Sequence, residues 1–97
     1  MKFEWDENKN KQNIAKHRIS FDITRRVFDD PHFLTVVQHE SGNEERWVTI
    51  GVATGIVILY VVHTRVELGD DELVRIITAR KATPRERRAY EDSVRYS

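Results

Sequence analysis

The stretch from Trp47 to Thr64, WVTIGVATGIVILYVVHT, runs eighteen residues between Arg46 and Arg65 without a charge. A run of that length is at the lower limit for a transmembrane helix, so how it is read decides the class of the chain. Val and Ile dominate it, Gly51, Thr54 and Gly55 interrupt it, and Val48, Ile50 and Val52 alternate with Trp47, Thr49 and Gly51 at the period of a strand. The stretch predicts two strands joined at Ala53-Thr54-Gly55 and no membrane span. Its second half, Ile56 to His63, is apolar on both parities, the pattern of a central strand buried on two faces.

Working outward, Leu68-Gly69-Asp70-Asp71 turns the chain into a strand from Leu73 to Arg80, and Pro84 opens a last helix, Arg85 to Arg95. Upstream, Glu45 to Val52 is the preceding strand, reached from Phe33 to His39 through the turn Glu40-Ser41-Gly42-Asn43. Phe3 and Trp5 mark a short first strand. Asp6 caps a helix from Glu7 to Arg18 whose acids come early and bases late. Ser20 caps a second helix, with Phe21, Ile23, Val27 and Phe28 on its buried side, and Asp29-Asp30-Pro31 ends it. The order β-α-α-β-β-β-β-α describes one α+β domain over residues 1–97, with two N-terminal helices, a mostly antiparallel sheet and a C-terminal helix.

Ninety-seven residues allow one modest core, and the absence of cysteine excludes disulfide frameworks, thiolate metal sites and thiol nucleophiles. The N-terminus turns acidic within six residues and lacks the apolar stretch of a signal peptide, so the cytoplasm is the expected compartment. Sixteen basic and sixteen acidic residues cancel, and whole-molecule charge gives no reason to expect nucleic-acid binding. The distribution is less even. Between Lys9 and Arg26 six cations face one acid, Asp22, which is either a solvated helix face or an anion-binding surface.

No Gly-rich phosphate loop and no His-Glu-x-x-His zinc helix is present, and no cofactor or metal is expected. Of the four histidines, His32 and His39 flank a strand, His63 sits at a strand end, and His17 stands beside Lys16 in the most cationic part of the chain. Arg46, Arg65, Arg75 and Arg80 lie in or at the ends of strands, either as solvated or ion-paired side chains or as phosphate clamps, since guanidinium grips phosphate bidentately. In an unbroken strand Arg75 and Arg80 point to opposite faces; Arg80, at a strand end beside Lys81, is the one expected on the open side.

Five ordered motifs add to this: FEWDENK at 3–9, NIAKHRISF at 13–21, VFDDP at 27–31, EERWVTIG at 44–51 and RIITARKATPRERRAY at 75–90. With these motifs the chain resembles the BrnT family, toxins of type II toxin-antitoxin pairs. The resemblance implies a RelE-like fold, a ribonuclease that arrests translation, and neutralisation by a BrnA-type antitoxin. The antitoxin's ribbon-helix-helix portion binds operator DNA, so the complex rather than this chain contacts DNA, with a dimer or higher assembly as one form of that complex. It places the family's Lys-His pair on Lys16 and His17, its Glu-Arg pair on Glu45 and Arg46, and its arginine strand on Arg75 to Arg80, with Glu86 and Tyr90 in the last helix. Arg18 stands where a glycine is common, and Pro84 where a basic or polar residue is.

The chemistry that follows is metal-independent cleavage in which the RNA 2′-hydroxyl attacks the adjacent phosphate, with Lys16, His17, Arg46 and Arg80 around one concavity and Lys9, Arg65 and Lys81 on the flanking backbone. A non-enzymatic subunit that grips an antitoxin or regulator and modulates its DNA binding is the alternative. It would display an apolar groove or an unpaired strand edge where the enzyme gathers cations.

Overall fold

The computed structural model of the chain describes residues 1–38 and 45–96. The expected turn at 40–43 and His39 lie outside them. Strand β1 (Lys2–Glu4) leads into helix α1 (Glu7–His17), then one turn of helix, α2 (Phe21–Thr24), which tightens into a 3₁₀ segment at Arg25–Asp29. Strands β2 (Leu34–Val37), β3 (Trp47–Thr54), β4 (Val57–Leu68) and β5 (Asp71–Lys81) follow, and helix α3 (Pro84–Arg95) closes the order. The five strands form one mixed sheet in the order β1-β5-β4-β3-β2: β1 runs parallel to β5, and the other three pairings are antiparallel.

Trp47 to Thr64 forms two strands, and among the described residues no helix is long and apolar enough to cross a membrane. The turn between them uses Gly55 at φ +53°, a conformation glycine adopts without a Cβ clash. β4, the middle strand, is apolar on both parities because it is buried from both sides. Leu59 and Val61 point into a core with Phe21, Val27, Val74 and Ile76 under α1 and α2, whereas Ile58 and Val62 meet Val48, Ile50 and Tyr90 under α3. β4 also runs five residues past His63, to Leu68. There the ladder to β5 supplies its backbone partners, so alternation of Arg65 and Glu67 with Val66 and Leu68 suffices for a strand.

The second expected helix is shorter than its apolar pattern suggested. Its 3₁₀ turn sets Val27 and Asp30 close onto β3 at Gly51, where a Cβ would lie 2.9 Å from Val27 Cγ1 and 3.2 Å from Asp30 Oδ2. Asp30 then takes the Val52 N–H (2.9 Å), its own turn's His32 N–H (2.9 Å) and the Tyr90 hydroxyl of α3. One carboxylate thus ties the 3₁₀ turn, the free end of β3 and the last helix together. Burial raises the Asp30 carboxyl, but these three donors outweigh it and hold it below the ordinary carboxylate value. The Tyr90 hydroxyl, desolvated and facing that carboxylate, is pushed up to about 12.

On the α1 side a chain of side chains crosses the sheet. His63, 1% exposed, has Nδ1 3.1 Å from the Thr64 carbonyl and Nε2 2.7 Å from the Thr49 hydroxyl, which is 2.8 Å from that of Thr35. The carbonyl can only accept, so Nδ1 carries the proton and the threonine hydroxyls donate in sequence, Thr35 to Thr49 to Nε2. Burial lowers the imidazole's pKa below 6.5. Above that pH both folded and unfolded chains hold neutral His63; below it the unfolded chain takes up a proton the folded one refuses. Denaturant unfolding should therefore lose up to about 1.4 kcal/mol per pH unit as pH falls below about 6.5, and His63→Gln should remove that slope. A parent slope retained in the variant would show that other groups carry it.

Candidate active site

β1 covers only Leu73 to Arg75 of β5, so the edge of β5 beyond is left without a strand. Asn13, buried on α1, fills that role with a side chain. Its Oδ1 accepts from the Ala79 N–H (3.1 Å) and the Thr78 hydroxyl (3.2 Å), and its Nδ2 donates to the Ala79 carbonyl (2.9 Å) and the Ile19 carbonyl (2.9 Å). Both backbone groups of Ala79 are thereby satisfied, and α1 is pinned along the strand edge.

Beside this junction β5 bulges. Val62 pairs with Thr78 and His63 with Ile76, so Ile77 is the extra residue. The bulge reverses parity, and Arg75 and Arg80 share one face rather than opposite ones: Arg75 lies across from Thr64 and Arg80 from Tyr60, on the side that carries α3. Ile77 and Thr78, between the two arginines, form the floor of an open cleft of about 250 Å³ whose wall is Lys9, Gln12, Lys16 and His17 of α1. The sequence does not mark this bulge: Ile76 and Ile77 face opposite cores as in any strand, and it is Ile77 and Thr78 that share a face.

The structure thus brings Lys9, Lys16 and His17 into one cleft, with Arg80 two residues along the strand. It does not bring Arg46 there. Arg46 directly precedes β3, its carbonyl accepts from the Gln38 N–H (2.9 Å), and the register extended by one residue sets it beside Thr64. That row is four residues, about 14 Å, from Tyr60 and Arg80. Arg65 is farther still from the cleft: it lies on the α1 face, stacked on Trp47 at 4.8 Å and bonded through Nε (3.0 Å) and Nη2 (2.7 Å) to Glu72. Lys81 is exposed across from Leu59 and also faces the α1 side.

Arg80 is ion-paired at the strand end. Its Nη1 and Nη2 donate to the two oxygens of Glu86 at 2.8 and 2.9 Å, its Nη1 also reaches the Lys81 carbonyl at 3.3 Å, and its guanidinium lies 3.9 Å over the Tyr60 ring. Glu86 is at the same time the third helical residue of α3 and completes a capping box with Thr83. The pair holds the guanidinium pKa above its ordinary value and the Glu86 carboxyl below its own. Arg18, the one non-glycine at positive φ among the described residues (φ +62°), ends α1 in the left-handed conformation that glycine would adopt more readily. No group of three or more His, Asp or Glu side chains placed to hold a metal ion occurs among the described residues.

Residues 5–86 match the family model described as the ribonuclease toxin BrnT of type II toxin-antitoxin systems. The chain belongs to the BrnT family. A solved structure, the ribonuclease toxin BrnT of Brucella abortus at 1.1 Å resolution, is similar over 86% of this chain and 97% of that one, with 27% identity and a TM-score of 0.59. A search of curated proteins finds no match. Membership makes the chain a ribonuclease toxin of a type II pair with an antitoxin partner. The family match contains the whole α1–β5 cleft and Arg80 and ends at Glu86, in the first turn of α3.

The Arg80–Glu86 pair also joins the end of β5 to the first turn of α3. The two side chains are 35% and 22% exposed, which leaves solvent screening in place. In a double-mutant cycle, Arg80→Ala and Glu86→Gln should each lower unfolding free energy by about 1 kcal/mol and together by clearly less than the sum. Additive losses would show that the pair is not coupled.

Proposed function

We infer that the cleft between α1 and the bulge of β5 is where this toxin cuts RNA, without a metal ion, using the substrate's own nucleophile. The observation that carries this is the cleft itself: Lys9, Lys16 and His17 line it over Ile77 and Thr78, with Arg80 on the same side of the strand. RNA brings a 2′-hydroxyl already next to the phosphate to be broken, so the protein has three tasks: orienting the strand, stabilising the charge that develops on phosphorus, and moving protons.

In this reading His17 takes the proton from the 2′-hydroxyl as the 2′-oxygen bonds to phosphorus. The bond from phosphorus to the 5′-oxygen breaks, that oxygen receives a proton, and the products are a 2′,3′-cyclic phosphate and a 5′-hydroxyl. Arg80 and Lys16 hold the phosphate charge at its maximum, and Lys9 binds the adjoining backbone. Arg46 and Arg75 serve the strand farther along, whereas Lys81 and Arg65, both on the other face of the sheet and Arg65 committed to Glu72, take no part. Glu86 keeps the Arg80 fork in one orientation, which reduces what must be reorganised when phosphate arrives.

The fold reading that goes with this is RelE-like, the outcome is arrest of translation in the cytoplasm, and the partner is a BrnA-type ribbon-helix-helix antitoxin that covers the basic cleft. Operator DNA is then bound by the complex and not by this chain alone, whose charges sum to zero.

Purified chain incubated with RNA in excess chelator should give fragments ending in 2′,3′-cyclic phosphate and beginning with 5′-hydroxyl. A 2′-deoxy residue at the cleaved position should block the cut. His17→Ala should lower kcat by about a hundredfold or more, the scale of one lost proton-transfer group. Arg80→Ala should do the same, with Arg80→Lys recovering only part, because an ammonium lacks the planar fork. Activity that appears only with a divalent cation, 5′-phosphate products, or parental rates in both alanine variants would overturn the assignment.

A further inference from the structure

α3 has two sides of opposite character. Glu86, Tyr90 and Val94, four residues apart, turn inward: Glu86 to Arg80, Tyr90 to Asp30, and Tyr90 and Val94 to the apolar cluster on the sheet. The outward side carries Arg87, Arg88 and Arg95, all exposed, and none of their guanidinium groups has a hydrogen-bond or ion-pair partner among the described residues. That is unusual company for Glu91 and Asp92, which lie within one helical turn and could have been paired with them. The five side chains instead line an open concavity of about 510 Å³ floored by Ala82 and Pro84. Ala82 lies in the link from β5 to α3 and Pro84 opens α3, so the concavity starts two residues past Arg80. Past Glu86, none of this lies within the family match.

Three unpaired guanidinium groups spread over just more than two turns, about 12 Å, suit more than one phosphate, and arginine binds phosphate as a planar fork. The two carboxylates between them decide the occupant. An acidic peptide would be repelled by Glu91 and Asp92, whereas a nucleic-acid strand offers phosphates to the arginines and exocyclic amino groups to the carboxylates. We propose that the outward side of α3 is a second RNA-binding surface, where Arg87, Arg88 and Arg95 hold phosphates of the strand leaving the cleft past Arg80 and Glu91 and Asp92 accept from its bases. This rests on reading the chain as an RNA-cleaving enzyme and extends its substrate contact beyond the cleft.

The test is the triple variant Arg87→Gln/Arg88→Gln/Arg95→Gln, at exposed positions where substitution leaves the fold intact, as a thermal melt can verify. Binding of an uncleavable 2′-O-methyl single-stranded oligonucleotide is followed by anisotropy over a range of salt, alongside cleavage kinetics on the matching RNA. The variant should bind about tenfold more weakly at low salt. Its log affinity should fall with log salt less steeply than the parent's by about 2, three phosphate contacts at about 0.7 each. KM should rise in parallel, with the effect on KM rather than kcat. A charge-matched control, Lys2→Gln/Lys11→Gln/Arg26→Gln, should keep the parental slope. A parental slope and KM in the triple variant overturn the proposal, including the case in which only antitoxin binding weakens, which would assign the surface to the protein partner. A parent that binds the oligonucleotide and loses the slope in the variant, yet cuts no RNA, would uphold this surface and defeat the ribonuclease reading of the cleft.

Discussion

A β-sheet edge buried under a helix must have its backbone groups satisfied, and here one side-chain amide does it. Asn13 gives Ala79 both the donor and the acceptor that a neighbouring strand would have supplied where β1 stops short. Because that amide sits in the middle of α1, the same pair of bonds fixes the helix against β5 and carries Lys9, Lys16 and His17, within one turn of Asn13, to the cleft wall. The position tolerates little. A carboxylate there would face two carbonyl oxygens with no proton to give, and an apolar residue would strand both groups of Ala79. The candidate cleft is in this sense a by-product of how the fold closes an incomplete sheet edge, with the bulge at Ile77 putting Arg75 and Arg80 on one face.

Much of the fold was legible because the chain states it in periods. The strand alternation from Trp47 to Val52, the two-faced apolar run after Gly55, Asp6 and Ser20 as caps, and Pro84 opening the last helix each have one local physical reading, and each marks an element that is there. What was not legible depends on distant partners. Parity arguments assumed that β5 was unbroken, and a single extra residue reversed the facing of Arg75 relative to Arg80. The pairing of Arg80 with Glu86 spans six residues and a turn, and that of Asp30 with Tyr90 spans sixty, so neither leaves a local pattern. Lys16 and His17 could be singled out from their cationic surroundings on α1, whereas Arg46 and Arg65 were grouped with Arg75 and Arg80 because all four stand in or at the ends of strands, Arg46 also through the family's Glu-Arg pair. The sheet has two faces and two ends, and strand membership does not say which.

The formal charge of zero conceals a separation along the sheet. Glu67, Asp70, Asp71 and Glu72 gather at the tip of the β4–β5 hairpin, where Met1's ammonium group and Arg65 meet Asp71 and Glu72 at 2.7 Å each. Arg80, Lys81 and the α3 arginines stand at the other end of the same ladder. Such a distribution orients the molecule toward a polyanion with its cationic end forward while leaving bulk charge balanced, which suits a chain that must find RNA and also be held by a protein antitoxin.

The claim on which the rest stands is that RNA enters between α1 and the β5 bulge. Backbone amide NMR of the full chain titrated with an uncleavable 2′-O-methyl oligonucleotide asks this without relying on activity or on any substitution. The account predicts that the largest shifts fall on Gln12, Lys16, His17, Thr78 and Ala79 and saturate together, with smaller ones along α3. Shifts confined to Arg65 and the hairpin from Glu67 to Glu72, with the amides of α1 and the bulge unmoved at saturation, would contradict it.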